Sequence, residues 1–254
     1  MHLLAAQPGT ITDGSEAVDL GQTPGEVVVL SAADTELAAL AGAHGRAGAP
    51  FALRLANLGR LGHHMSVDLY LDRVVGHARL VVLRLLGGRS YWPYGLEQVA
   101  DLCRKRNILL ACLPGDDRPD PELMREGTLE PRAAERLWRY LVFGGPDNAA
   151  HFLAYAGALI GRDGEWLEPR PLPPAGLYPP LDWREGWDEA RPKAVVVFYR
   201  ALVLAGDTAP VDALLEDLRG RGMNAHGLFV HSLKDGASAG AVEAVLAGMR
   251  PDVV

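Results

Sequence analysis

The chain has 254 residues, 48% hydrophobic and 22% charged, with a formal net charge of −7. That balance describes an ordinary globular protein of one or two domains, long enough to bury a core without a disulfide or metal staple. The acidic excess excludes a general nucleic-acid surface, which needs a basic face, but leaves room for a local cationic pocket.

The N-terminus, MHLLAAQPGT, lacks the basic and then apolar pattern of a secretion leader. No run reaches the ~20 apolar residues needed to span a bilayer. A soluble, cytoplasmic protein with no membrane partner is expected. The two cysteines, Cys103 and Cys112, fall on different predicted elements without metal-type spacing and read as buried thiols.

HLLAA (2–6) and the Val-rich EVVVLSAA (26–33) read as strands. Residues 34–45 follow as a helix, with Asp34 as a plausible cap and Leu37, Leu40 and Ala41 on one face. FALRLANL (51–58) is a further strand. The spacing of Val67, Leu71 and Val74 predicts a helix over 66–78, capped by Ser66. RLVVLRLLG (79–87) is a strand, residues 93–106 a helix opened by Pro93, and NILLACLPG (107–115) a strand again. Two helices are expected near 131–143 and 146–160. Strands alternating with helices imply βαβ units, and nearly continuous apolar strands fit a parallel sheet covered on both faces. The fold class expected is therefore α/β, with a parallel sheet of flavodoxin or Rossmann type.

Residues 161–192 carry the proline-dense EPRPLPPAGLYPP and read as a linker, because proline suits neither a helix interior nor a central strand. A second βα pattern follows over 193–254: strand 194–199, helix 207–222 capped by Asp207 or Thr208, strand 224–232 and helix 238–249. The final PDVV resembles the opening of another parallel strand, so this domain is expected to be the start of a larger one. The expected organisation is a first α/β domain over 1–160, a linker, and a second, truncated α/β domain.

The stretch LLGGRSYWPYG (85–95) concentrates the chemistry. Ligands of open parallel sheets sit outside the carboxyl ends of the strands. Gly87 and Gly88 permit a sharp turn there, Arg89 offers a planar fork for a carboxylate, and Tyr91, Trp92 and Tyr94 offer flat faces for a conjugated ring. The same residues also fit a tight strand–helix turn whose aromatics merely cover the sheet end. Tyr199 and Arg200 end a later strand in the same way, before the helix opened by AGDT. His63–His64, His226, His231 and the Asp116–Asp117 pair are weaker candidates for metal or proton chemistry; turns and helix caps account for them equally well. Neither G-x-G-x-x-G nor G-x-x-x-x-G-K-[ST] occurs, so no nucleotide loop is expected in this chain.

As a set, GGRSYWPYG, MSVDLYLD, LLACLPGDDRPDPEL, FYRALVLAGDTAPVDAL and FVHSLKD resemble the N-terminal part of the CobN-type large subunit of cobaltochelatase, a relative of the magnesium chelatase large subunit. The resemblance runs in order through essentially the whole chain. It implies a subunit that binds hydrogenobyrinic acid a,c-diamide and receives Co²⁺ as substrate metal, in aerobic cobalamin biosynthesis. It implies that separate AAA+ ATPase subunits use ATP and Mg²⁺, which this chain would not bind. Family large subunits are several times longer, so the isolated portion is expected to be inactive, and no catalytic or cobalt-binding residue is transferred. A docking segment for the ATPase subunits, or a magnesium chelatase counterpart acting on protoporphyrin, are the alternatives.

Overall fold

The computed structural model describes residues 16–47, 50–180 and 187–254. The strand expected over 2–6 lies outside them, as does part of the proline-dense stretch. The chain divides into two compact units, one running through Arg170 and one from Pro171 to Val254.

The first unit runs β1 (Val27–Ser31), α1 (Asp34–Ala47), β2 (Leu53–Asn57), α2 (His64–Arg73), β3 (Leu80–Leu85), α3 (Pro93–Arg106), β4 (Leu109–Pro114), α4 (Pro121–Met124), α5 (Pro131–Phe143) and α6 (Pro146–Leu159). Its four strands form a parallel sheet in the order β2-β1-β3-β4. The α/β class expected from the sequence is the one observed. Alternate residues of each strand feed two separate cores. Val28, Leu30, Val81, Leu83 and Cys112 pack with α2 and α3. Val27, Val29, Leu80, Val82 and Leu113 pack with α1, α5 and α6. This two-sided cover is why β1 and β3 are buried at every position. Cys103 and Cys112 are both free and buried, and burial first of all pushes each thiol up to about 12, out of the reactive range.

α2 begins earlier than the sequence pattern indicates. His63 is its cap, its Nδ1 accepting the Met65 N–H at 3.1 Å. Ser66, expected as the cap, lies inside the helix and buried, where its Oγ accepts the Val18 N–H at 2.7 Å. An imidazole can replace a hydroxyl at a cap because its unprotonated nitrogen is an acceptor.

The proline-dense stretch does not act as one linker. Its first part is clamped to the first unit: Arg136 lies over the rings of Tyr155 and Trp166 and pairs with Glu168 at 2.8 Å. Asn148 adds a two-way bond to the backbone of Arg170. Its second part contributes a strand, β5 (Ala175–Tyr178). The second unit continues with β6 (Lys193–Tyr199), α7 (Arg200–Ala205), α8 (Ala209–Gly220), β7 (Asn224–Val230) and α9 (Gly236–Met249). The sheet order is β5-β7-β6, with β5 antiparallel and β6 parallel to β7. Four residues free of proline suffice for a strand at the sheet edge, where flanking prolines need no ladder partner. On the other edge, Val253 makes an isolated parallel bridge to Ala194, as the strand-like PDVV pattern suits. Among the described residues no helix is long and apolar enough to cross a membrane.

His226 lies buried in β7 with its Nε2 3.2 Å from the Pro179 carbonyl oxygen. Burial, with Arg219 nearby, lowers its pKa, and the Pro179 bond opposes this only in part. The folded chain therefore keeps the ring neutral where the unfolded chain protonates it, so stability rises with pH through this window. It is lost as pH falls below the ordinary histidine value of about 6.5. The urea midpoint should drop between about pH 7.5 and about pH 5.5. That drop should shrink in His226→Gln; an undiminished drop assigns it to another group.

Candidate functional site

β1 and β3 are adjacent in the sheet, but their connections leave in opposite directions, to β2 and to β4. The crevice outside their carboxyl ends is thus the switch point where sheets of this topology take ligands. The turn after β3 stands there. Gly87 and Gly88 both have left-handed backbone, with φ of 85° and 72°, which aims the one-turn 3₁₀ segment Gly88–Tyr91 across the strand ends.

Three depressions surround this turn. A shallow groove of about 700 Å³ runs along α3 and is lined by Arg89, Pro93, Glu97, Asp101, Arg104 and Glu126. A second, of about 440 Å³, is bordered by Gly87, Gly88, Asp116, Arg118 and Asp120. The third, about 220 Å³ and the most apolar in its lining, lies at the switch point itself, among Ser31, Ala33, Arg84, Leu86, Tyr91 and Gly115.

The aromatic cluster does not present three open faces. Tyr91 is 47% exposed and borders the switch-point cavity. Trp92 belongs instead to the core beneath α2 and α3, with its indole N–H donating to the Leu61 carbonyl at 2.9 Å. Its ring rests against Gly95, where a Cβ would fall 2.1 Å from the indole, so only glycine allows this packing. A buried indole needs an acceptor, and Leu61 supplies it on the inside. Trp92 thus offers no face to a ligand. Tyr94 is half-buried: it stacks on His64 with ring centres 3.8 Å apart and donates its hydroxyl to Asp68 at 2.7 Å. The Asp68 bond, with lesser help from burial, raises the pKa of that hydroxyl.

Arg89 is exposed and paired with Glu126, which also receives Arg104 at 3.2 Å. In the second unit Tyr199 is 70% exposed at the end of β6. Arg200 directs its fork at the carbonyls of Pro173 (3.0 Å) and Leu172 (2.7 Å), so its role is to hold the approach to β5 rather than to await an anion. Thr208, not Asp207, takes the cap position of α8. Asp116 accepts the Arg118 N–H at 3.2 Å and so closes a turn. His231 is exposed, with its backbone N–H donated to Pro174. Among the described residues no group of three or more His, Cys, Asp or Glu side chains could hold a metal ion.

Arg84 was not singled out in the sequence, yet it is the polar centre of the switch-point cavity. It is 7% exposed near the end of β3, its Nη1 2.6 Å from Glu36 Oε1 and its Nη2 donating to the Gly115 carbonyl at 3.1 Å. Ser31 at the end of β1 donates to the other oxygen of Glu36 at 2.8 Å. Burial works against the charge of Arg84, and Glu36 and then Asp116 support it. The available signal was a lone charge inside the otherwise apolar run RLVVLRLLG.

These placements separate two arginine and tryptophan roles by stability. Removing the indole donor in Trp92→Phe leaves the Leu61 carbonyl buried without its partner and should cost about 1–3 kcal/mol. Breaking the exposed Arg89 pair in Arg89→Ala should cost less than about 1 kcal/mol. Urea unfolding of the two variants checks the order, and equal losses would contradict it.

Comparison with known proteins accords with this architecture. Residues 138–254 match the family model CobN/Magnesium Chelatase. A Sinorhizobium protein named aerobic cobaltochelatase subunit CobN is 45% identical over 271 aligned positions, taking in 100% of this chain and 21% of the relative. The Pseudomonas aeruginosa protein of the same name is 42% identical over 252 positions, 96% of this chain and 20% of the relative. The chain therefore spans only a small part of these relatives' length. The structure of the catalytic subunit of cobaltochelatase from Mycobacterium tuberculosis superposes with a TM-score of 0.68 at 28% identity, covering 88% of this chain and 17% of that one. By these likenesses residues 138–254 carry the CobN/magnesium chelatase family domain, and the chain as a whole is similar to the front part of aerobic cobaltochelatase subunits.

Proposed function

We propose that this chain supplies the N-terminal portion of the large, ring-binding subunit of an ATP-dependent cobaltochelatase. The reaction inserts Co²⁺, as substrate, into hydrogenobyrinic acid a,c-diamide during aerobic cobalamin biosynthesis. The observation that carries this reading is the 45% identity to an aerobic cobaltochelatase subunit sustained through 100% of the chain. ATP and Mg²⁺ belong, in this reading, to AAA+ partner subunits in the cytoplasm.

The chemistry asks two things of a ring-binding portion. It must recognise a flat macrocycle edged with carboxylates, and it must hold that edge while other groups remove the pyrrolic protons and deliver the metal. The strand-end face of the first unit suits the first task. Arg89 is exposed and paired only at the surface, so a ligand carboxylate can compete for it at small cost. Tyr91 presents a half-open ring beside it. No residue of this chain is assigned to proton removal or to holding cobalt.

A docking role toward the ATPase subunits is favoured by one observation. Tyr199, which ends β6, and Leu233, which follows β7, are large apolar side chains 70% and 62% exposed. One pair of experiments separates the readings. Titrating the chain with hydrogenobyrinic acid a,c-diamide should shift the absorption spectrum of the ring, and Arg89→Ala should weaken binding by about tenfold or more. An unchanged spectrum, together with capture of the ATPase subunits that Tyr199→Ala abolishes, would replace ring binding by docking.

A further inference from the structure

The switch-point cavity of the first unit contains a buried cation that is already neutralised, and this decides what it can bind. Arg84 has five N–H donors. One is donated to Gly115 at 3.1 Å. Nη1 approaches Glu36 to 2.6 Å as an ion pair, yet no N–H of that nitrogen is aimed to make a hydrogen bond. Nη1 is itself sealed from solvent against Glu36, so the donors left to a ligand are the remaining N–H groups of a guanidinium that borders a cavity of about 220 Å³ whose other lining is mainly apolar. A buried donor without an acceptor is costly, so the cavity favours an oxygen acceptor.

Charge narrows the choice. Glu36 balances Arg84, and Ser31 fixes the second Glu36 oxygen at 2.8 Å, so the carboxylate is held in place from two sides. Asp116 adds a further negative charge close enough to support Arg84. A ligand carboxylate entering here would place a second anion beside Glu36 and near Asp116, where like charges repel. A neutral acceptor meets no such penalty. The Gly115 carbonyl, which has two lone pairs and receives Arg84 on one of them, can also take a ligand N–H. Acceptor and donor side by side on a planar group describe a carboxamide. Tyr91 at the mouth, 47% exposed, provides a flat surface for the body to which that group is attached.

We propose that the cavity formed by the ends of β1 and β3 is a carboxamide-selective subsite, which accepts one neutral amide substituent of a planar ligand and rejects the corresponding carboxylate. The proposal rests on reading the strand ends as the ligand-binding face. It assigns a different contact from Arg89, which faces the separate groove along α3. The cavity is too small for a whole macrocycle, whose volume belongs with the several hundred Å³ of ordinary ligand pockets. It takes an edge group only.

Benzamide and benzoate, equal in shape and different in charge, test this in the full chain by nitrogen-15 NMR titration. Benzamide should shift Gly115, Ala33 and the Arg84 side-chain N–H signals, and benzoate should bind about tenfold more weakly or less. Arg84→Met alone would take the balancing cation away from Glu36, so the paired variant Arg84→Met/Glu36→Gln is used, and it should lose benzamide binding. Ala33→Leu, which fills the cavity and leaves the ion pair intact, should lose it as well. Benzoate binding as tightly as benzamide, shifts confined to other residues, no saturable benzamide binding, or benzamide affinity retained in Ala33→Leu would each overturn the proposal. Titration with hydrogenobyrinic acid a,c-diamide keeps the two readings apart. Ring binding without benzamide selectivity removes the subsite alone, whereas benzamide selectivity without ring binding leaves the subsite and removes the ring.

Discussion

The parallel ladder β2-β1-β3-β4 is buried on both faces, and this double burial governs the rest of the first unit. Nearly every residue of β1, β3 and β4 must fill one of two cores, so polar chemistry has little place along these strands and is displaced to their ends. There the backbone leaves the ladder, glycines can take left-handed conformations, and helix α1 begins. The three depressions around the Gly87–Tyr91 turn are a consequence of that displacement.

Arg84 is the exception that depends on the same constraint. Placed one residue before the end of β3, it sits where the core gives way to the crevice, and its charge is tolerable only because Glu36 reaches it from the first turn of α1. Burying two charges is expensive, and a pair of apolar side chains would serve the core at least as well. An ion pair retained here makes sense as a fixed arrangement of donors and acceptors. Ser31 and Gly115 complete it from β1, through Glu36, and from the loop after β4, so three of the four strands converge around one guanidinium.

Much of the fold was legible because burial writes a simple pattern. Runs such as EVVVLSAA and NILLACLPG have few polar interruptions, and short helices between them leave little choice of topology. What was not legible depended on partners distant in sequence. Whether Trp92 faced a ligand or the core turned on the Leu61 carbonyl, 31 residues away, and on the missing side chain of Gly95. The cap of α2 fell to His63 because Ser66 was needed by Val18. β5 was hidden among prolines because only four residues pair, and the pairing partner, β7, lies far along the chain.

The arginines show most clearly why composition misleads about sites. Arg54 donates to the carbonyls of Thr23, Leu53 and Pro24, Arg106 to Gly76, Arg200 to Leu172 and Pro173, and Arg219 to Ala225. In each case the planar fork ties down irregular backbone or a strand end, a task for which a point-like ammonium is less suited. An arginine-rich sequence with few lysines therefore need not be rich in anion sites. The informative residues are those whose donors the fold has not absorbed. Arg89 meets that test because its partners are at the surface, where a ligand can displace them. Arg84 meets it for the opposite reason: it is buried, its charge is balanced, and it borders a cavity with only part of its hydrogen-bonding capacity absorbed by the fold.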